Sequence, residues 1–199
     1  MRKQPVTAPR RSSRRRLLTN GPYRIGLISD THGLLRPELP AALAGVEEIL
    51  HAGDVGTPEV LAELQALAPV TAVKGNVDVC VPALRIPSFS IRDLHGLSIL
   101  ITHYLGTPDE PLPPVAAVIK AERPRLILTG HTHQPRVQER DGTMFVNPGS
   151  CGPRRFELPV SYGLLTIHDP EEGQRRPRFE VRIFDLESGA LLDGHEVAG

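Results

Sequence analysis

With 199 residues, no Trp, two Cys and 23 Lys and Arg against 23 Asp and Glu, the chain admits one domain, or two small ones, around a core of Leu, Ile, Val and Ala. Charge is unevenly placed: residues 1–22 hold seven basic residues and no acid, so the remainder carries a net −7, which excludes a broad nucleic-acid-binding surface. No apolar run reaches the roughly 18 residues of a membrane-spanning helix, and two distant cysteines, Cys80 and Cys151, predict reduced thiols in the cytoplasm.

Residues 1–22 mix arginines with Pro5, Pro9 and Pro22, and only Leu17 and Leu18 follow the arginine cluster. That composition predicts a disordered basic tail without the apolar stretch of a secretory signal. Contact of its arginines with nucleic acid or a membrane surface is the minor reading, a solvated tail the major one. The domain is predicted over residues 23–199.

Tyr23 to Ser29 is a short apolar run, read as a buried strand. Pro37 to Ala44 has helical spacing, and Val46 to His51 reads as a second strand. Pro58 to Ala68 carries Val60, Leu61, Leu64 and Leu67 on an amphipathic helix, opened by Thr57 with Pro58 in its first turn. Val70 to Lys74 is a third strand, so this half reads as parallel βαβ units. Beyond it, Leu84 to Arg92 and Leu97 to His103 flank a His95-Gly96 turn, and Pro114 to Glu122 is a helix. Leu126 to Thr129, Arg136 to Arg140, Met144 to Asn147, Ser161 to His168 and Phe179 to Phe184 read as strands, with Asp141-Gly142 a hairpin signal. This half reads as mostly antiparallel, and the whole as one α/β domain with two sheets.

Ligands of open α/β sheets bind beyond the carboxyl ends of strands. Five successive runs end there in potential donors: Ser29-Asp30-Thr31-His32-Gly33, His51-Ala52-Gly53-Asp54, Lys74-Gly75-Asn76, Thr102-His103 and Gly130-His131-Thr132-His133. Carboxylate oxygen with imidazole nitrogen suits Mn, Fe, Ni or Zn better than calcium, and the absence of thiolate argues against a structural zinc knuckle. Each element alone is a common turn or cap; five in order are not. His51 is either a support for Asp54 or merely a strand end, and Asp78 either holds Asn76 or closes a turn.

These five motifs resemble those of the calcineurin-like metallophosphoesterases. Asn147-Pro148-Gly149-Ser150, followed by Pro153-Arg154, is similar to the small bacterial and archaeal phosphodiesterase branch. The resemblance implies a four-layer α/β/β/α sandwich of two mixed sheets flanked by helices. It implies two divalent transition-metal ions, manganese foremost, with Fe, Ni or Zn as alternatives. Asp30, His32 and His133 would bind one ion, Asn76, His103 and His131 the other, and Asp54 would bridge them. A hydroxide held between the ions would attack the phosphorus of a small phosphodiester. Asn76 would contact the substrate. Arg154 has a guanidinium suited to a substrate phosphate, with a surface or structural ion pair as the equal alternative.

Two departures stand out. Related chains often read His-Gly-His where this one has His103-Tyr104-Leu105, and Val77 occupies the position where other branches place a proton-donating His. The alternatives are a phosphomonoesterase and a protein-binding scaffold like the retromer subunit of this fold, whose ligand substitutions compromise its metal site; here every ligand type remains. A homo-oligomer is left open. Since the tail carries no motif, removing residues 1–21 should leave turnover of a small phosphoester unchanged within error. Steady-state kinetics of the full and shortened chains check this, and a large loss with the fold intact would place the tail at the site.

Overall fold

The computed structural model describes residues 21–81, 84–170, 174 and 176–198. The predicted basic tail, apart from Gly21 and Pro22, lies outside them. Two mixed sheets are stacked face to face. The first holds β1 (Tyr23–Ile28), β2 (Glu48–His51), β3 (Val70–Ala72), β9 (Ser161–Ile167), β10 (Phe179–Asp185) and β11 (Leu191–Val197), in the order β11-β10-β9-β1-β2-β3. The second holds β4 (Phe89–Leu94), β5 (Leu97–Thr102), β6 (Leu126–Leu128), β7 (Arg136–Arg140) and β8 (Thr143–Asn147), in the order β4-β5-β6-β8-β7. α1 (Leu39–Ala42) and α2 (Pro58–Leu67) belong to the first half of the chain, and α3 (Pro113–Glu122) connects β5 to β6.

Strand alternation divides the apolar residues between two cores. Ile25 and Leu27 of β1 and Leu50 of β2 face inward, meeting Ile99, Ile101, Leu126 and Leu128 of the second sheet. Ile28 and Ile49 point outward, where Val60 and Leu64 of α2 and Leu39 of α1 cover them. Covered on both faces, β1 and β2 carry the near-continuous apolar runs expected of buried parallel strands. The sandwich interior and the outer layer are therefore separate hydrophobic clusters sharing one sheet.

The structure corrects several sequence expectations. The second half is mostly antiparallel, as expected, in β4–β5, β7–β8, β9–β10 and β10–β11, although β5–β6 and β6–β8 pair in parallel. The division between halves fails, because β9 returns to pair antiparallel with β1 and brings β10 and β11 into the first sheet. The predicted strand from Leu84 starts only at Phe89; Pro87 lacks the N–H a ladder needs. β11 was not anticipated. It is a largely exposed edge strand, so its sequence lacks the apolar alternation that marks the others. The two hairpin turns do form, with left-handed backbone at His95-Gly96 and Asp141-Gly142.

Burial sets the expected cost of truncation. Leu128→Ala, in the sandwich interior, should lose about 2–5 kcal/mol, whereas Leu192→Ala, on the exposed edge strand, should stay within about 0.5 kcal/mol. Urea denaturation of both variants measures the contrast.

Candidate metal centre

The carboxyl ends of β1 and β2 run on side by side. Asp30, His32 and Gly33 donate their N–H groups to the carbonyls of Gly53, Asp54 and Val55, at 2.9, 2.9 and 2.8 Å. This lays the Asp30 loop along the Asp54 loop. Gly130, after β6, donates to His103 O at 3.0 Å and joins the loops of the second sheet in the same way. Close approach requires glycine: a Cβ at Gly75 would collide with the Asp54 carboxylate, and one at Gly130 with the Ser29 hydroxyl.

The backbone at the site is unusual. Nine described non-glycine residues have positive φ, and five are expected ligands: Asp30 (56°), His32 (47°), Asp54 (55°), His131 (70°) and His133 (59°). Each such residue costs on the order of 1 kcal/mol or more and persists only where its surroundings over-determine it. Here the surroundings are named side chains. The Asp78 carboxylate accepts N–H bonds from Val55 (3.1 Å), Gly56 (2.8 Å) and Gly75 (2.8 Å), clamping the second loop to the third. Asn147 donates to Gly130 O (2.8 Å) and Thr132 Oγ1 (2.9 Å), and Ser150 donates to Asp30 O (2.9 Å). The Asn-Pro-Gly-Ser segment thus holds the His131–His133 loop with one end and the Asp30 loop with the other.

His51 resolves as a cross-brace. Its Nδ1 accepts from Gly53 N–H at 3.1 Å, which leaves Nε2–H to donate to Thr31 Oγ1 at 2.9 Å, and Thr31 in turn donates to Val55 O at 2.9 Å. The ring is fully buried, and burial pushes its pKa down to about 4 despite the nearby aspartates. It is neutral at pH 7.

Two groups of donors converge among the described residues: Asp30, His32 and His133, and Asp30, Asp54 and His103, with the donor atoms of each group within 4.8 Å of one another. His133 Nε2 lies 3.1 Å from Asp30 Oδ1 and 3.3 Å from His32 Nε2. Asp54 Oδ2 stands 3.8 Å from His32 Nε2 and 3.5 Å from His103 Nε2, between the groups. His103 Nδ1 donates to Ala52 O at 2.8 Å, which leaves its Nε2 lone pair free to coordinate. Asp30 Oδ1 and His103 Nε2 are buried with no hydrogen-bond partner. Buried acceptors without donors are costly, and a cation would satisfy both. Carboxylates and imidazoles without thiolate fit a divalent transition metal.

The charges agree. Burial raises the Asp54 carboxyl, but His103, the N–H of Val77 at 2.9 Å and the charge of His32 outweigh it and hold the pKa at about 2. Asp30 is likewise lowered: burial opposes this, and His133, Ser29 and His103 prevail. His103 is raised, its burial outweighed by Asp54 and Asp30. His32 is lowered by burial, in spite of Asp54 and Asp30.

The remaining expected residues lie beside these groups. Asn76 is exposed at the head of the short 3₁₀ turn Val77–Cys80. His131 is exposed, with its ring centroid 5.3 Å from that of His103 and 4.5 Å from that of Tyr104; its N–H donates to Asp30 Oδ2 at 3.1 Å. Arg154, read as a substrate contact or an ion pair, takes the ion pair: its guanidinium meets Glu187 at 2.6 Å and reaches Leu158 O. Arg155 faces the cluster instead, with Nη2 3.5 Å from His32 Nε2. Nothing in the adjacent arginine pair told them apart; Glu187, distant in sequence, decides. Asp78 and the clamping role of Asn147 are the other contributions that sequence reasoning left open.

A two-sheet α/β sandwich that gathers carboxylates and imidazoles at its strand ends has the architecture of a metal-dependent hydrolase. Residues 23–170 match the calcineurin-like phosphoesterase superfamily domain, and the chain belongs to that superfamily. A protein named a probable metallophosphoesterase in Methanothermobacter thermautotrophicus is 38% identical over 138 residues, 63% of this chain and 76% of that relative. One named a phosphodiesterase in Methanocaldococcus jannaschii is 30% identical over 145 residues, 64% of this chain and 84% of that relative. Among solved structures, vacuolar protein sorting 29 from Cryptosporidium parvum matches with a TM-score of 0.73 at 20% identity, covering 90% of this chain and all of that one; this likeness shows the fold alone. No helix among the described residues is long and apolar enough to cross a membrane.

The His51 brace carries a pH signature. Its folded pKa of about 4 lies below the ordinary 6.5, so between those values the unfolded chain binds a proton that the folded one does not. Stability is therefore lost as pH falls from 6.5 towards 4, by about 3 kcal/mol for this residue at 1.36 kcal/mol per unit. In His51→Asn the acid slope should be shallower and the variant's deficit at pH 7 should shrink by pH 4.5. Denaturant titration across that range measures it; parallel slopes would assign the loss to other groups.

Proposed function

We propose that the protein is a phosphodiesterase working through a dinuclear metal centre. The observation that carries this reading is the pair of donor groups sharing Asp30, with Asp54 Oδ2 between His32 and His103. Asp30, His32 and His133 would hold one ion, and His103, with Asp54 bridging, the second. Asn76 and His131, on the adjoining loops, are the further ligands this reading assigns. Two divalent ions, manganese foremost, would supply Lewis-acid stabilisation of phosphoryl oxygens and activation of a water nucleophile.

The chain's own part is placement. Asp78, Asn147 and His51 hold the loops before substrate arrives, so the donors need no rearrangement at the moment of reaction. Arg155 stands where a guanidinium can bind a phosphate oxygen, and takes the substrate role in place of Arg154. Val77 contributes its backbone N–H to Asp54 and cannot protonate a leaving group, so diesters with acidic leaving alcohols are the favoured substrates. Two unpaired thiols, exposed Cys80 and buried Cys151, support a cytoplasmic setting.

After Mn²⁺ reconstitution the protein should hold about two ions per chain and hydrolyse bis(p-nitrophenyl) phosphate. Asp54→Ala should lose at least about 10³-fold in kcat, the scale of a major electrostatic element. Elemental analysis alongside steady-state kinetics tests both, and a protein that retains no metal after reconstitution is a scaffold on this fold rather than an enzyme.

A further inference from the structure

The outer face of the second sheet is covered thinly. β5 sends Leu97, Ile99 and Ile101 into the sandwich interior, so Leu100 alternates to the opposite face. α3 has no buried residue. Between α3 and the β4–β5 hairpin opens a cavity of about 640 Å³. Phe89 and Leu100 line it from the sheet, Val115 and Val118 from α3, and Val79 and Leu112 from the flanking loops. Its other wall ends in Asn76 and His103, so the apolar cavity runs directly into the metal centre.

Three observations point to a ligand rather than to loose packing. The volume falls within the range of about 300–1,000 Å³ typical of small-molecule sites. Val79 (72% exposed), Tyr104 (44%) and Leu112 (40%) also line it. Large apolar side chains left in water around one concavity mark a binding site. Lys74 is the only Lys, Arg, Asp or Glu among the described residues that line it, so the cavity disfavours a cationic group while tolerating an anionic one at its edge.

We infer that this cavity is the subsite for an apolar arm of the phosphoester, an aryl ring or a short alkyl chain, attached to a phosphoryl group seated at the Asp30–His133 cluster. The inference rests on the phosphodiesterase reading and adds the substrate class. A concave pocket that ends on metal-ligand residues fits one arm of a small ester better than a protein surface, which would need a broader, flatter face.

Phosphonates with a single arm give the test, because the anion has one anchor and the arm one place to go. Calorimetry on the Mn²⁺-reconstituted full chain compares methylphosphonate with hexyl- and phenylphosphonate. The longer arms should bind at least about 10-fold tighter, since each buried CH₂ contributes about 0.8 kcal/mol, close to 4-fold. Val118→Glu and Val115→Glu, both on the half-exposed face of α3 and checked for folding by thermal melting, should bring that ratio towards one. Equal affinity for all three ligands, or a ratio unchanged in both folded variants, overturns the subsite. Methylphosphonate binding together with diester turnover would then leave the phosphodiesterase reading standing. No phosphonate binding and no turnover would remove both.

Discussion

Two carboxylates, Asp30 and Asp54, sit buried at the ends of adjacent parallel strands, with imidazole nitrogens 3.1 to 3.8 Å from their oxygens. Burying a carboxylate is expensive unless opposite charge and hydrogen bonds compensate. Asp30 Oδ2 is satisfied by Ser29 and the His131 N–H; Oδ1 is not. The rest of the site answers this constraint. The loops approach so closely that Gly75 and Gly130 have no room for a Cβ. Asp30, His32, Asp54, His131 and His133 take left-handed backbone at these turns. The strain is offset by Asp78, Asn147, Ser150 and the His51 brace, each of which binds backbone rather than ligand.

The sandwich is asymmetric in a way that suits this arrangement. In the first sheet β1 and β2 are packed on both faces, and their ends carry Asp30 and Asp54. The second sheet shares the interior core, but among the described residues its outer face has α3, without a buried residue, near Leu100. One side of the metal cluster is therefore fixed by dense packing, and the other opens into an apolar hollow. Tyr104 lines that hollow and lies against His131.

Much of this was legible in the chain itself. Apolar runs bounded by Gly, Asp and His located β1, β2, β5 and β6, because strand-forming patterns and turn residues are local signals. The donors followed once strand ends were known, since ligand geometry depends on which residues stand just beyond a strand. Pro58 and the Asp141-Gly142 turn were equally local. What local pattern could not supply was pairing. β11 is exposed and carries no alternation, and nothing short-range says that β9 returns to β1 across the whole molecule.

The same physical divide separates the residues of the site. By itself, the sequence determined which potential donors stand just beyond strand ends, because a residue's position after a strand is a property of its own segment. Only the tertiary structure decided what those donors lean on. Asp78 clamps Val55 and Gly56 across 23 and 22 residues. Glu187 draws Arg154 away and leaves Arg155 facing His32. The cavity beside Asn76 and His103 exists because α3 stands off the second sheet. These are contacts between segments far apart in the chain, and their energy depends on distance and burial that no local pattern encodes.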